Sequence, residues 1–284
     1  MRTRELKYVI PAVATSDGAG VKIRRSIGAQ PGLRLDPFLM LDEFFSDDPE
    51  DYLAGFPAHP HRGFETVTYM LDGHMQHKDH LGNTGDLGPG DVQWMTAARG
   101  IIHSEMPQQT EGRMRGFQLW LNLPASEKMA AADYRDIPAA DIPQVSVDGS
   151  VVRVIAGDFG TGARRTPGAV TGRSIAPLYL DIALEPDGTI EVPVAATHSA
   201  FVYLYDGTGK LGDHGADLPL RGAAVLGQGD VVRLAAGTDG ARLLLLAARP
   251  LEEPVVQYGP FVMNTRDEIE QALADYRDGK LTAA

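Results

Sequence analysis

The sequence predicts an all-β protein built in two halves and closed by a short C-terminal helix. Glycine (32) and proline (19) are plentiful and scattered along the 284 residues, and the apolar runs between them are short, the pattern of many strands separated by turns. Helical spacing of apolar residues stands out near the C-terminus alone. A weak internal repeat, with Tyr69-Met70-Leu71-Asp72-Gly73 resembling Tyr203-Leu204-Tyr205-Asp206-Gly207 and Gly90-Asp91-Val92 resembling Gly229-Asp230-Val231, points to two related halves.

The elements follow in order. Arg2 and Arg4 precede an apolar run over Tyr8–Ala14, but Lys7 abuts the run and Pro11 interrupts it, so a first strand is expected rather than a secretory leader. Val21–Arg24 alternates apolar and charged. Thr66–Leu71 is β-branched and aromatic and stops at Asp72-Gly73, a hairpin signal. Gly82-Asn83 and Gly88-Pro89-Gly90-Asp91 mark turns before Val92–Met95, and Phe117–Leu123 reads as another strand. Ser126–Ala132 carries helix formers, and Pro138 and Pro143 follow. The domain boundary is placed there, giving residues 1–140 and 141–284. Strands resume at Val151–Ala156, Leu178–Leu184, Ala200–Tyr205, Ala223–Leu226, Val231–Leu234 and Leu243–Ala248. The last element is a helix over Arg266–Arg277 with Ile269, Leu273 and Tyr276 on one face, Asn264 or Thr265 as N-cap and Gly279 as stop.

Composition narrows the function classes. A net charge of −12 argues against a nucleic-acid partner, whose phosphates the protein's field would repel. With no cysteine there is neither a disulfide framework nor thiol chemistry. The longest aliphatic run, Leu243–Ala248, is far shorter than a membrane span. A cytoplasmic protein without membrane contact is expected.

Two short motifs carry the chemistry: His59-Pro60-His61 and His103-Ser104-Glu105. Residues two apart on a strand share a face, so two such strands side by side aim three imidazoles and one carboxylate at one point. That donor set suits a borderline divalent metal such as Fe(II), Mn(II), Ni(II) or Zn(II). A single His-x-His is more often a satisfied core pair; two same-face pairs favour a metal. Pro60, which lacks an N–H, suits an edge or bulged strand. Aligning the repeat puts Pro193, Ala195, Arg242 and Leu244 at the positions corresponding to the four ligands, so one site, in the first half, is expected. His74, His77 and His80 read as a solvated hairpin, since His77 and His80 fall on opposite faces of a strand. His198 and His214 read as structural or exposed. Phe56, Phe64, Met70 and Trp94 flank the ligands, as pocket walls or as ordinary core.

Longer motifs add a family. Asp36-Pro-Phe-Leu-Met-Leu-Asp-Glu, His59-Pro-His-Arg-Gly-Phe-Glu-Thr-Val-Thr-Tyr, Gly90-Asp-Val-Gln-Trp-Met-Thr-Ala, Gly100-Ile-Ile-His-Ser-Glu-Met-Pro and Gly259-Pro-Phe-Val-Met-Asn-Thr closely resemble the pirin family of cupins. The resemblance implies a bicupin of two β-sandwich (jelly-roll) barrels, with one metal held by His59, His61, His103 and Glu105 in the first and a degenerate second. It implies Fe(II), with Zn, Ni, Mn or Cu as alternatives. It also implies a quercetin 2,3-dioxygenase activity that takes a flavonol and O2, with Glu105 as ligand or as catalytic base. A nuclear branch of the family suggests the other reading, a metal- or redox-sensing regulator acting through protein partners without turnover. A structural Zn or Ni cupin is the third. Glu65 stands one place earlier than the glutamate of the usual cupin motif, so Glu105 is the expected fourth ligand.

Overall fold

The computed structural model describes residues 1–147 and 149–283. It is all-β with one α-helix among the described residues, and the chain divides into two compact units. One comprises Val13–Ala139 with Leu251–Ala284, the other Met1–Ala12 with Ala140–Pro250. These units differ from the expected 1–140 and 141–284 at both chain ends. The first strand joins the second half, where it pairs antiparallel with Gly222–Leu226 at the edge of a nine-stranded sheet. That pairing covers an otherwise open sheet edge, a long-range relationship that no local pattern encodes.

In chain order the strands are β1 (Leu6–Pro11), β2 (Val13–Asp17), β3 (Val21–Arg25), β4 (Phe38–Ser46), β5 (Phe56–His61), β6 (Phe64–Asp72), β7 (Met75–Asp79), β8 (Thr84–Leu87), β9 (Val92–Thr96), β10 (Ile101–Pro107), β11 (Met114–Asn122) and β12 (Asp133–Ile137). The first unit is a sandwich. Its seven-stranded sheet runs β12-β9-β6-β11-β4-β3-β2 and its four-stranded sheet β5-β10-β7-β8. Val21, Ile23, Phe44, Met70 and Met114 of the larger sheet pack with Phe56, Met75 and Leu87 of the smaller one in a single cluster. β3 alternates buried and exposed as its sequence predicts. β6 is buried along Phe64–Met70, as befits a central, β-branched strand.

Two local expectations are corrected. Asp72-Gly73 does make a tight turn, with Gly73 at φ 89°, but not a hairpin: β6 is already flanked by β9 and β11, and the turn hands the chain to the opposite sheet. Ser126–Met129 is turn rather than helix. There the buried Lys128 ammonium donates to the Gly63 carbonyl (2.7 Å), Asn122 Oδ1 (2.6 Å) and the Val262 carbonyl (3.0 Å). Three acceptors match its three N–H donors, and this tertiary contact overrides helix propensity.

The helix α1 (Arg266–Arg277) has the expected bounds. Thr265 Oγ1 accepts from the Glu268 N–H while the Glu268 carboxylate accepts from the Thr265 N–H, a capping box. Its buried face is Ile269 and Ala272, packed on Phe261, Met263 and Leu281, whereas Leu273 and Tyr276 are exposed.

In the second unit the two longest strands, Ser199–Leu211 and Val231–Ala248, each pair with several partners. Their shared register slips between Leu204 and Asp206 and again between Gly207 and Gly209, so the sheet bends around a core of Val, Leu and Ile side chains. Gly207 (φ 74°) is required at the bend, because a Cβ there would collide with the Gly240 carbonyl.

Candidate metal centre

β5 is the edge strand of the smaller sheet, which accommodates Pro60, and it pairs antiparallel with β10. His103 stands opposite His59, and Ile101 opposite His61. Directly opposed residues share a face, so the i, i+2 spacing and this register together bring three imidazoles onto one side. Ring centroids lie 4.7 Å (His59–His61), 4.4 Å (His59–His103) and 5.0 Å (His61–His103) apart. One nitrogen from each ring lies within 4.8 Å of the others.

The donor atoms fit a metal. His61 Nδ1 and His103 Nε2 are buried without a hydrogen-bond partner, a costly state for polar atoms that a metal relieves. The His59 Nδ1 bonds the Pro57 carbonyl at 2.8 Å, so that nitrogen carries the proton and Nε2 keeps its lone pair. Burial, then the neighbouring imidazoles, hold His61 and His103 well below the usual histidine range, while the Pro260 carbonyl opposes this for His61. Both are therefore neutral, the ligand form.

Glu105 is buried on the same strand, but its carboxylate is not part of that close cluster. Its Oε1 accepts from Thr68 Oγ1 (2.8 Å) and its Oε2 from Gln118 Nε2 (3.0 Å), and the β5–β10 register slips between His103 and Glu105. Glu65 lies on the other face of β6. Phe64 packs edge-on against His61 and Thr68 lines the cavity, so even-numbered residues of β6 face inward. Glu65 instead accepts from Thr96 Oγ1 (2.7 Å). A one-residue offset in a strand reverses the face, which removes Glu65 from the site.

His59 and His61 open onto a cavity of about 790 Å³ within the first unit. Its apolar lining includes Ile23, Phe44, Phe56, Met75 and Trp120, and Arg25, Asp42, Thr68 and Gln118 supply polar groups to it. Strand register places Arg25, Asp42, Gln118, Thr68, Gln93 and Asp136 side by side across the larger sheet. Arg25 grips Asp42 through Nε (2.8 Å) and Nη2 (2.7 Å) and also reaches Asp17 (2.6 Å). Burial pushes the Asp42 carboxyl up to about 6 although Arg25 opposes this. Burial works against the Arg25 charge, but its two aspartates outweigh that and raise its pKa. Of the aromatic and Met residues flanking the ligands, Phe56 lines the cavity. Phe64 and Met70 are buried core, and Trp94 sits opposite Val67 on the outward face of the larger sheet. Trp120, which stacks on Phe64 at 4.3 Å and touches His61, was not singled out by the motifs.

His77 departs most from the sequence reading. It is fully buried, not solvated, stacks on Tyr134 (4.6 Å) and brings Nδ1 within 3.2 Å of His103 Nδ1. A signal existed: His77-Lys78-Asp79 has the same i, i+2 parity as the ligand pairs. Arg62, next to His61, is also missed by the motifs. It donates to the Arg99 carbonyl, to Asp275 (2.7 Å) and to the Leu281 carbonyl (3.3 Å), tying the ligand strand to the α1 segment.

A two-sheet sandwich with a three-histidine nest on paired strands defines a cupin. Residues 20–121 match the family signature described as Pirin, and residues 179–282 that of the Pirin C-terminal cupin domain. The chain belongs to the pirin family. It is 54% identical to a Pseudomonas aeruginosa protein provisionally named a quercetin 2,3-dioxygenase, over 99% of both chains. It is 44% identical to human pirin, over 93% of this chain and 89% of that one. The crystal structure of quercetin 2,3-dioxygenase from Acinetobacter baumannii superposes with a TM-score of 0.88 at 34% identity, over 98% of both chains. Among the described residues no helix is long and apolar enough to cross a membrane.

Proposed function

We propose that this chain is a mononuclear-metal dioxygenase of the quercetin 2,3-dioxygenase type, cleaving a flavonol with O2 and releasing carbon monoxide. The observation that carries this is the coincidence of the three-histidine nest, with its two buried partnerless nitrogens, and an adjoining cavity of about 790 Å³ that includes Phe44, Phe56 and Trp120 in its lining. The Acinetobacter structure and the Pseudomonas relative support the substrate class. His59, His61 and His103 would hold the metal, for which we assign Fe(II).

When bound, that metal supplies a redox-active Lewis acid at which the flavonol and O2 meet. The chain's own groups do the rest. Phe44, Phe56 and Trp120 line the cavity and offer the flat rings apolar surface that excludes water. The Glu105 carboxylate takes the proton of the flavonol hydroxyl, and Thr68 and Gln118 hold it aimed for that transfer. A fourth protein ligand, as the family motif implies, would be a Glu105 lone pair that the bonds from Thr68 and Gln118 leave free.

Iron-loaded protein with quercetin should consume O2 and release carbon monoxide at a rate that tracks iron content. No uptake with several flavonols would overturn the proposal and favour a regulator acting through protein partners.

A further inference from the structure

We infer that His77 is a positioning residue: it accepts the Nδ1 proton of His103 and so fixes the tautomer that leaves His103 Nε2 free to bind a metal. This rests on the metal-site reading proposed above, but the hydrogen-bond logic holds in the metal-free protein.

Asp79 faces His103 across the β7–β10 pairing, as His77 faces Glu105. Three N–H groups already converge on its carboxylate. Oδ1 accepts from the Leu81 N–H (2.9 Å) and the Asn83 N–H (3.0 Å), and Oδ2 accepts from Asn83 Nδ2 (2.8 Å). A group so placed is an acceptor, and the ring nitrogen facing it, His77 Nε2 at 3.5 Å, carries a proton. In a neutral imidazole the other nitrogen then bears the lone pair. His77 Nδ1 is therefore the acceptor in its 3.2 Å contact with His103 Nδ1, because two lone pairs or two protons at that separation would repel. His103 Nδ1 is the donor.

The proton on Nδ1 leaves the lone pair on His103 Nε2. That atom is one of the two buried ring nitrogens without a partner, and His103 belongs to the three-histidine cluster. The opposite tautomer would aim an N–H at the cluster and block the site. Tyr134 stacks on His77 with an interplanar angle of 28°, and its hydroxyl is held by Asp136 (2.6 and 2.7 Å), so the accepting ring has little freedom to turn. Asn83, Asp79, His77 and His103 thus form one directed chain from a loop to the metal nest. Such outer partners orient metal-binding imidazoles and raise their basicity.

The test uses the full chain with two substitutions. His77→Phe keeps the ring and its stack on Tyr134 but removes the acceptor. His77→Asn puts an amide oxygen near the former Nδ1 position and restores it. Zinc affinity, measured by competition with a chelating dye, should fall about 10- to 100-fold in H77F and recover in large part in H77N. Both variants are first shown to melt cooperatively without metal. In metal-free wild type, nitrogen-15 NMR should show His103 protonated at Nδ1, and H77F should lose that preference. A His103 ring protonated at Nε2 in the metal-free wild type would overturn the inference, as would a folded H77F that binds zinc as tightly as wild type. Wild type that binds no divalent metal would instead refute the proposed function, and the NMR result would still decide the role of His77.

Discussion

The Thr68 hydroxyl lies 2.8 Å from Glu105 Oε1 and 2.9 Å from Gln118 Oε1, joining the two sheets of the sandwich beside the three-histidine nest. A carboxylate held this way is oriented before substrate arrives. Glu105→Gln should leave the three-histidine nest able to retain metal but lower flavonol turnover by about 100-fold or more. Metal analysis and O2 uptake on the same preparation check this. Loss of metal in step with turnover would mean that Glu105 is chiefly a ligand.

Removing a histidine should act on the metal first. In His59→Ala or His103→Ala two nitrogens remain of the three that converge, and metal content should drop at least about tenfold. Elemental analysis of protein purified without a chelating tag reads this directly. Full occupancy in either variant would refute the ligand assignment.

Asp42 gives a pH signature. Its carboxyl is pushed from 3.8 to about 6 by burial, so the folded state holds this proton more tightly than the unfolded chain does. The stabilising contribution is therefore complete below about pH 4 and is lost as pH rises through about 6. Urea midpoints of wild type relative to Asp42→Asn should fall between pH 4 and 7. A flat difference would refute the shift.

Lys128 should matter to stability rather than to chemistry. Lys128→Met keeps the side-chain length but strands the Gly63 and Val262 carbonyls and Asn122 Oδ1. A loss of about 2–4 kcal/mol is expected, read from the urea midpoint. Metal bound per folded chain should not change.

What the sequence determined by itself rests on short-range geometry. Strand parity put His59, His61, His103 and Glu105 on common faces, and an N-cap at Asn264 or Thr265 marked where α1 begins. Both follow from backbone repeats of a few residues, which local sequence encodes. The tertiary structure alone decided what depends on pairing between distant segments. It sent β1 to the second unit and α1 to the first, and turned Asp72-Gly73 into a passage between sheets. It made Lys128 a buried tie within a turn, and set Glu105 beside Thr68 and Gln118 rather than in the close nitrogen cluster. His77 shows the border between the two. Its parity with Asp79 was legible, but its burial and its contact with His103 came from β7 lying next to β10, a choice of neighbour that strand sequences constrain only weakly.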